Sequence, residues 1–163
     1  MNDERKGIVT VRLAERNELE QVNVLRGQVN RLHSDARPDM FKAGFCDELK
    51  EYVYAFFDAE GRYVVVAECG GSICGFAMVE RIVKPESPYR PRIEFMHIQE
   101  FGVDPAYRRM GAATRLIEFV KDMARAAAID RIELDVWEFN KGAIEFYNAV
   151  GFDVCREYME MKL

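Results

Sequence analysis

Hydrophobic and polar positions in the first third of the chain change from a strand-like to a helix-like spacing. Residues 8–14 are mainly aliphatic or β-branched and predict a first strand. Asn17 is followed three residues later by Glu20, which is a helix-capping pattern. Apolar residues then recur every three or four positions, so a first helix is expected to run to about Arg31. Asp47 is the expected N-cap of a second helix.

The middle of the chain has the pattern of a hairpin followed by a long strand. Residues 62–69 are β-branched and aromatic, and Gly70-Gly71 joins them to a second strand over residues 72–81. Three prolines mark residues 84–91 as a loop. A further strand is predicted over residues 92–103.

Strand and helix alternate in the remaining sequence. The predicted elements are a helix over 112–128, a strand over 132–137, a helix over 141–149 and a closing strand over 152–161. The whole order, β-α-α-β-β-β-α-β-α-β, predicts a mixed α/β sheet with helices on its faces. The strand-helix-strand unit is expected to cross over right-handedly.

Composition narrows the classes of function. A chain of 163 residues suits one domain over residues 1–163, and its net charge of −5 disfavours nucleic acid or an anionic membrane as the main partner. An acidic surface leaves amines open as partners. The start of the chain is charged, and no apolar stretch is long enough to span a membrane, so a cytoplasmic location is expected. Four cysteines without a close CxxC pair, and only two histidines, predict reduced thiols and no metal site.

The run from Val103 to Thr114 lies between a predicted strand and a predicted helix. Pro105 ends the strand, and Gly111 permits a backbone conformation or a close approach that a side chain would block. The helix begins with unpaired N–H groups and a positive dipole end, so the turn can bind a pyrophosphate, with charge added by Arg108 and Arg109. Taken alone, the run fits equally well a plain loop with two solvated arginines. It has neither the Walker pattern nor the dinucleotide fingerprint.

A second informative run follows the strand predicted to end at Trp137. Asn140 is placed to cap the next helix and Gly151 to end it. Phe146 and Tyr147 lie on that helix, where the ordinary interpretation is packing in the core.

Together the two runs resemble the GNAT superfamily of N-acetyltransferases. The family's pyrophosphate loop, Gln/Arg-x-x-Gly-x-Gly/Ala, is matched by Arg108, Gly111 and Ala113. The family's later motif is matched by Asn140, Ala143, Phe146, Tyr147, Gly151 and Phe152. The likeness is close over residues 92–152, and it implies a GNAT-like fold with a splayed central sheet flanked by helices.

The resemblance implies that acetyl-CoA, as cosubstrate and without a metal, lies in a V-shaped cleft between the strands ending near Val103 and Trp137. A bulge in the first strand is expected beside that cleft. Gly102 departs from the family, which usually has a larger residue there; it either marks the bulge or widens the cleft. The implied cofactor-binding residues are Phe101, Gly102, Val103, Arg108, Arg109, Met110, Gly111, Ala112, Ala113, Thr114, Asn140, Ala143 and Tyr147.

The reaction implied is direct attack of an amine on the thioester. Tyr147 is the expected proton donor to the leaving thiolate, and a buried tyrosine with a structural hydrogen bond is the alternative. Glu100 is the first candidate for the base, acting directly or through water, and His97 is the second. In a regular strand Glu94 and Glu100 share one face and His97 lies on the other, an assignment that a bulge would change.

The acceptor amine is expected to enter opposite the cofactor, against the first two helices and residues 33–45. His33 is interpreted as a cation near the end of the first helix, or else as part of the acceptor pocket. Phe41 and Phe45 either line that pocket or belong to the core.

The leading hypothesis is therefore an acetyl-CoA-dependent N-acetyltransferase acting on a small-molecule or peptide amine. The alternatives are a catalytically weak acyl-CoA-binding sensor and a structural protein with an incidental loop. The family resemblance also implies a possible homodimer.

Overall fold

The computed structural model describes residues 7–163 and contains a five-stranded sheet in the order β1-β2-β3-β4-β5. The strands are β1 (Thr10–Leu13), β2 (Arg62–Cys69), β3 (Ser72–Lys84), β4 (Ile93–Val103) and β5 (Ile132–Leu134). The helices are α1 (Leu19–Ala36), α2 (Asp47–Asp58), α3 (Ala112–Ala126) and α4 (Lys141–Ala149). Neighbouring strands are antiparallel from β1 to β4, whereas β4 and β5 are parallel. The predicted mixed α/β sheet with flanking helices is confirmed.

The sheet separates two hydrophobic cores. Helices α1 and α2 pack on one face, where Val66 and Met78 point, and α3 packs on the other, where Val65 and Ala77 point. Successive side chains in a strand point to opposite faces. Residues 63–67 of β2 and 73–79 of β3 are all apolar because both faces of the sheet are covered there.

The two N-terminal helices begin differently from the prediction. A 3₁₀ turn precedes α1, and the capping box joins Glu15 and Glu18 rather than Asn17 and Glu20. Arg12 holds the Glu18 carboxylate at 2.6 and 2.8 Å, which fixes it in the capping position. Asp47 is the first residue of α2 and not its cap; its charge still favours the helix start electrostatically.

The predicted closing strand is wrong. Strand β5 ends at Leu134, three residues earlier than predicted, and residues 153–163 form no strand and no backbone hydrogen bond within the described part of the chain. We call residues 153–163 the C-terminal arm. Its apolar residues have the alternating spacing of a strand, but a strand also needs a neighbour to pair with, and β5 pairs only with β4.

The four cysteines divide into two pairs by accessibility. Cys46 and Cys155 are exposed, whereas Cys69 and Cys74 are buried, and all four are free thiols. Burial raises the pKa of the Cys74 thiol. Over residues 7–163, no helix is both long and apolar enough to cross a lipid bilayer.

Candidate active site

The turn between β4 and α3 exposes a row of main-chain donors. Arg109 and Gly111 have φ angles of 63° and 80°, in the left-handed region, and α3 begins at Ala112 without a side-chain cap. Within residues 7–163, the N–H groups of residues 109–114 have no hydrogen-bond acceptor outside their own helix. Such a turn at a helix N-terminus forms a concave anion site. A non-glycine residue with positive φ is uncommon, and Arg109 shows that the turn is held against local preference.

The side chains of this turn divide between the core and solvent. Ala112 is buried and Met110 packs against the core beneath α3, which anchors the turn. Arg108 and Arg109 are exposed, and neither forms an ion pair in the described part of the chain. Both guanidinium groups can therefore supply charge to an anion bound at the amides.

Strands β4 and β5 pair over a short distance and then separate. Only Met96 to Ile98 pair with β5, whereas β4 continues to Val103. On its other side β4 stays paired, with Phe101 opposite Ala77 and Val103 opposite Gly75. The β5-facing edge of β4 beyond Ile98 is therefore unpaired within residues 7–163, at the place where the sequence predicts the cofactor cleft.

A β-bulge lies at Gln99, next to the point where the strands separate. Val79 and Met78 of β3 face Ile98 and Glu100, so Gln99 is the extra residue. Met96 and Ile98 point to the α3 side, and beyond the bulge Phe101 and Val103 point there too. The bulge thus moves Glu100 to the α1 side of the sheet, where His97 also lies. The prediction for a regular strand, which placed these two residues on opposite faces, is wrong.

Gly102 does not mark the bulge; it lies where α1 approaches the sheet most closely. A Cβ atom at Gly102 would lie 2.8 Å from Val29 Cγ2 and 3.0 Å from Phe76 Cε1. A side chain there would push α1 away from β4.

The two candidate bases have different partners. Both oxygens of Glu100 accept hydrogen bonds of 2.8 Å from Arg26, whose side chain is 3% exposed. His97 Nε2 lies 3.4 Å from Asp135 Oδ2, just beyond the end of β5. Glu100 is therefore held by a buried cation, while His97 has the Asp135 carboxylate beside it.

Helix α4 brings Tyr147 next to strand β4. The Asn140 side chain accepts a 3.3 Å hydrogen bond from the Ala143 amide, as predicted for a cap, and Gly151 ends the helix with a φ of 102°. The Tyr147 ring meets Phe101 of β4 edge-on, with 6.0 Å between ring centres. Burial raises the pKa of Tyr147 to about 12, so the phenol stays protonated at neutral pH. No hydrogen-bond partner of the phenol occurs within residues 7–163.

Four aromatic rings meet where the sequence predicts the acceptor wall and form a closed cycle, which we call the aromatic cluster. It consists of His33, Phe41, Trp137 and Phe139, with successive ring centres 5.3, 5.3, 6.2 and 5.8 Å apart. The Arg37 guanidinium lies 5.3 Å from the Trp137 ring centre. The cluster joins the end of α1 and the loop after it to the segment between β5 and α4.

The aromatic cluster corrects the interpretation of His33 as a cation. Burial lowers the pKa of His33, and the nearby Glu100 carboxylate opposes this only in part, so the neutral imidazole is favoured. Of the two phenylalanines predicted for the acceptor wall, Phe41 is in the cluster, whereas Phe45 packs on Arg26. The cluster was missed as a unit because its members lie far apart in the sequence; Trp137, the single tryptophan, was the one local signal.

Comparison with known proteins gives a family for this arrangement. A profile of the acetyltransferase (GNAT) family matches residues 28–152. A 90-residue match to the N-alpha-acetyltransferase RimI of Mycobacterium tuberculosis is 32% identical and covers 55% of this chain and 51% of that protein. The thialysine N-epsilon-acetyltransferase of Caenorhabditis elegans is 34% identical over 59 residues, 36% of this chain and 37% of its own length. The chain thus spans about half or less of these relatives.

Solved structures agree with the fold along nearly the whole chain. A single-site mutant of the BH1408 protein of Bacillus halodurans is 26% identical with a TM-score of 0.90, covering 94% of this chain and 99% of that one. The aminoglycoside N-acetyltransferase AAC(6')-Iy, solved in complex with CoA, has a TM-score of 0.77 at 17% identity, covering 98% and 97% of the two chains.

Proposed function

This chain belongs to the acetyltransferase (GNAT) family, and we propose that it transfers the acetyl group of acetyl-CoA to a primary amine of a small molecule or peptide. The observation that carries the proposal is the row of unpaired amides at residues 109–114, at the mouth of an open cleft between β4 and β5. The names of the relatives support the acceptor class, because an α-amine, a thialysine ε-amine and an aminoglycoside amine are all acetylated on nitrogen.

In the proposed complex, the amides of residues 109–114 bind the pyrophosphate of acetyl-CoA. Arg108 and Arg109 add charge at the rim. The open edge of β4 at Phe101 to Val103 pairs with the pantetheine arm, and Asn140 and Ala143 lie at its thioester end. The AAC(6')-Iy complex with CoA supports this cosubstrate.

The proposed chemistry is one acyl transfer without a covalent enzyme intermediate. The amine lone pair attacks the thioester carbonyl carbon, the C–S bond breaks, and the CoA thiolate takes the Tyr147 phenol proton. The surplus proton on the new amide nitrogen then leaves through water and restores the phenol. The free phenol and its protonated state support this role. The alternative of a structural hydrogen bond has no partner among residues 7–163 to support it.

The acceptor must lose a proton to react. A lysine-like amine with a pKa of about 10.4 has roughly one neutral molecule in a thousand near neutral pH, which costs about 4 kcal/mol. An α-amine with a pKa near 8 costs less than about 1 kcal/mol. We propose that Glu100 or His97 accepts this proton. The geometry favours His97, because Arg26 already occupies both Glu100 oxygens, whereas the partner of His97 is a single carboxylate oxygen of Asp135 at 3.4 Å.

A cytoplasmic location is part of the same proposal. The free, exposed thiols of Cys46 and Cys155 fit a reducing compartment.

The test has two stages with the full chain. Calorimetric titration with acetyl-CoA should give saturable binding, and a panel of α-amines, lysine-like amines and aminosugars should then release CoA from it. Binding without release for any amine would favour the acyl-CoA-binding sensor. No binding at all would contradict both and leave a structural protein.

A further inference from the structure

The aromatic cluster is separate from both hydrophobic cores of the sheet. Its four rings pack on one another, and none of them is a member of the core beneath α3 or of the core beneath α1 and α2. Each ring keeps part of its surface exposed. The cluster therefore leaves aromatic surface free for a ligand at the predicted acceptor wall.

The cluster adjoins the groups that flank the proposed reaction. His33 lies near enough to Glu100 of β4 for that carboxylate to act on the imidazole through its charge. Phe139 immediately precedes Asn140, whose side chain caps α4 by accepting from the Ala143 amide. Asn140 and Ala143 are at the thioester end of the proposed acetyl-CoA complex. A molecule with one ring on the cluster can therefore bring an amine to the thioester on a short alkyl chain.

The charges around the cluster disfavour an acceptor with several ammonium groups. Arg37 already lies on the Trp137 ring, in the position that a ligand cation would take. Five carboxylates next to the cluster already lie within 4.0 Å of a basic side chain; they are Asp39, Glu100, Asp135, Glu138 and Glu160. A polyamine, or an aminosugar with several amines, would have to displace these cations, whereas an acceptor with one amine and an apolar body would not.

We propose that the acceptor is an arylalkylamine, a primary amine on a short alkyl chain that ends in an aromatic ring, and that this ring packs on the aromatic cluster. Aromatic rings attract one another in edge-to-face and offset arrangements beyond the effect of burial alone. The cluster offers both edges and faces, since Trp137 and Phe139 are stacked and Phe41 meets Trp137 edge-on. The inference rests on the proposed acetyl transfer for the reaction, but not for the binding of the ring.

Trp137 makes the binding directly measurable, because it is the single tryptophan of the chain. Its fluorescence is titrated with phenethylamine, with and without saturating coenzyme A, and we expect a saturable change. Cyclohexylethylamine keeps the amine and the chain without an aromatic ring, and in competition with phenethylamine it should bind about fivefold more weakly. Spermidine and kanamycin, which carry several ammonium groups, should bind at least about tenfold more weakly than phenethylamine.

Two variants that remove a ring test the cluster itself. Phe41→Leu and Phe139→Leu keep an apolar side chain, so each should weaken phenethylamine binding about fivefold and leave cyclohexylethylamine binding within about twofold. A general loss of structure would weaken the binding of both amines alike. Tyr89→Leu, which removes an exposed ring from the proline-rich loop, is the matched control and should change neither affinity.

The same four amines are then assayed for release of CoA from acetyl-CoA, and phenethylamine should have the highest kcat/KM. Binding with this ring preference, but no release of CoA for any amine, would contradict the acetyl transfer and leave the ring site in place. Equal affinities for phenethylamine and cyclohexylethylamine, or no binding of phenethylamine with or without coenzyme A, would overturn the inference. A higher kcat/KM for spermidine or kanamycin would also overturn it, while the acetyl transfer would stand.

Discussion

The two sides of the cleft are built by different means. On the proposed cofactor side, consecutive main-chain amides from Arg109 to Thr114 lack an acceptor outside their helix within residues 7–163, and Met110 and Ala112 anchor the turn. On the acceptor side, the aromatic cluster brings together rings from positions 33, 41, 137 and 139. A site made of backbone tolerates many side-chain changes, because every residue except proline contributes the same N–H group, and Gly111 with its positive φ is the sensitive position. A site made of side chains can change its specificity one ring at a time.

The largest effect is expected from breaking the cofactor side. Gly111→Glu should weaken acetyl-CoA binding by about 1000-fold, since a carboxylate would replace two or more charge-assisted hydrogen bonds of about 2 kcal/mol each. Calorimetry measures the loss. Gly71→Glu is the matched control, because Gly71 has the same φ of 80° and the same open space but lies in the β2–β3 hairpin. Equal loss of binding in both variants would point to backbone strain and not to the phosphate turn.

A smaller effect is expected where the two sides meet, at Tyr147. Tyr147→Phe should lower turnover by about 100-fold, because the general acid is lost, with acetyl-CoA affinity unchanged within about twofold. Steady-state rates and calorimetry on the same samples separate the two quantities. Tyr63→Phe, another partly buried tyrosine, should change neither. Unchanged turnover in Tyr147→Phe would leave the ring a packing residue.

Substitution of Glu100 tests whether this charged residue, between the two sides of the cleft, contributes to stability or to catalysis. Glu100→Gln should lower the free energy of unfolding by about 2 kcal/mol, because it leaves the buried Arg26 without its carboxylate. This figure is lower than that for breaking a fully buried ion pair, because Glu100 is partly exposed and solvent screens its charge. Denaturant titration measures it. Glu94→Gln, in an exposed ion-pair group with Arg81 and Arg92, should lower the free energy of unfolding clearly less, because solvent screens the group.

On the acceptor side, removing a single ring should weaken binding of the acceptor amine and leave acetyl-CoA binding unchanged. Trp137→Ala should raise the acceptor KM about tenfold, as expected for the loss of one aromatic or cation–π contact, and leave acetyl-CoA binding unchanged. Tyr89→Ala, which removes an exposed aromatic within the proline-rich loop, is the control. A change in acetyl-CoA affinity with Trp137→Ala would show that the two sides are not separable.

The smallest effect concerns the pH dependence of the aromatic cluster. The folded pKa of His33 lies below its ordinary value of about 6.5, so its contribution to stability is present above that pH and is lost as the pH falls through the folded pKa. His33→Gln should reduce the fall in melting temperature at acidic pH, whereas His97→Gln should show the same fall as the unchanged chain. An unchanged fall in melting temperature in His33→Gln would contradict burial of a neutral imidazole.

The same contrast explains what could be predicted from the sequence. Gly111, Asn140 and Gly151 act through their own backbone or through neighbours three residues away, so local patterns identified the turn and the cap of α4. The mixed sheet followed from the order of elements.

The features that the sequence did not predict depend on contacts between segments far apart in the chain. Arg26 and Glu100 are 74 positions apart, and no local pattern joins them. The Gln99 bulge reverses side-chain alternation, so counting along β4 misplaced Glu100. The closing strand over residues 152–161 was predicted from local sequence alone, but a strand also requires a neighbour to pair with.

The distribution of the thiols has a practical consequence for measuring activity. Cys46 and Cys155 are exposed and Cys69 and Cys74 are buried. A colorimetric disulfide reagent that reports released CoA will therefore first record the two exposed protein thiols, in proportion to enzyme and independently of substrate. Serine substitution at both positions removes that background. Slow appearance of further colour would then signal unfolding, because only a denatured chain presents the other pair to the reagent.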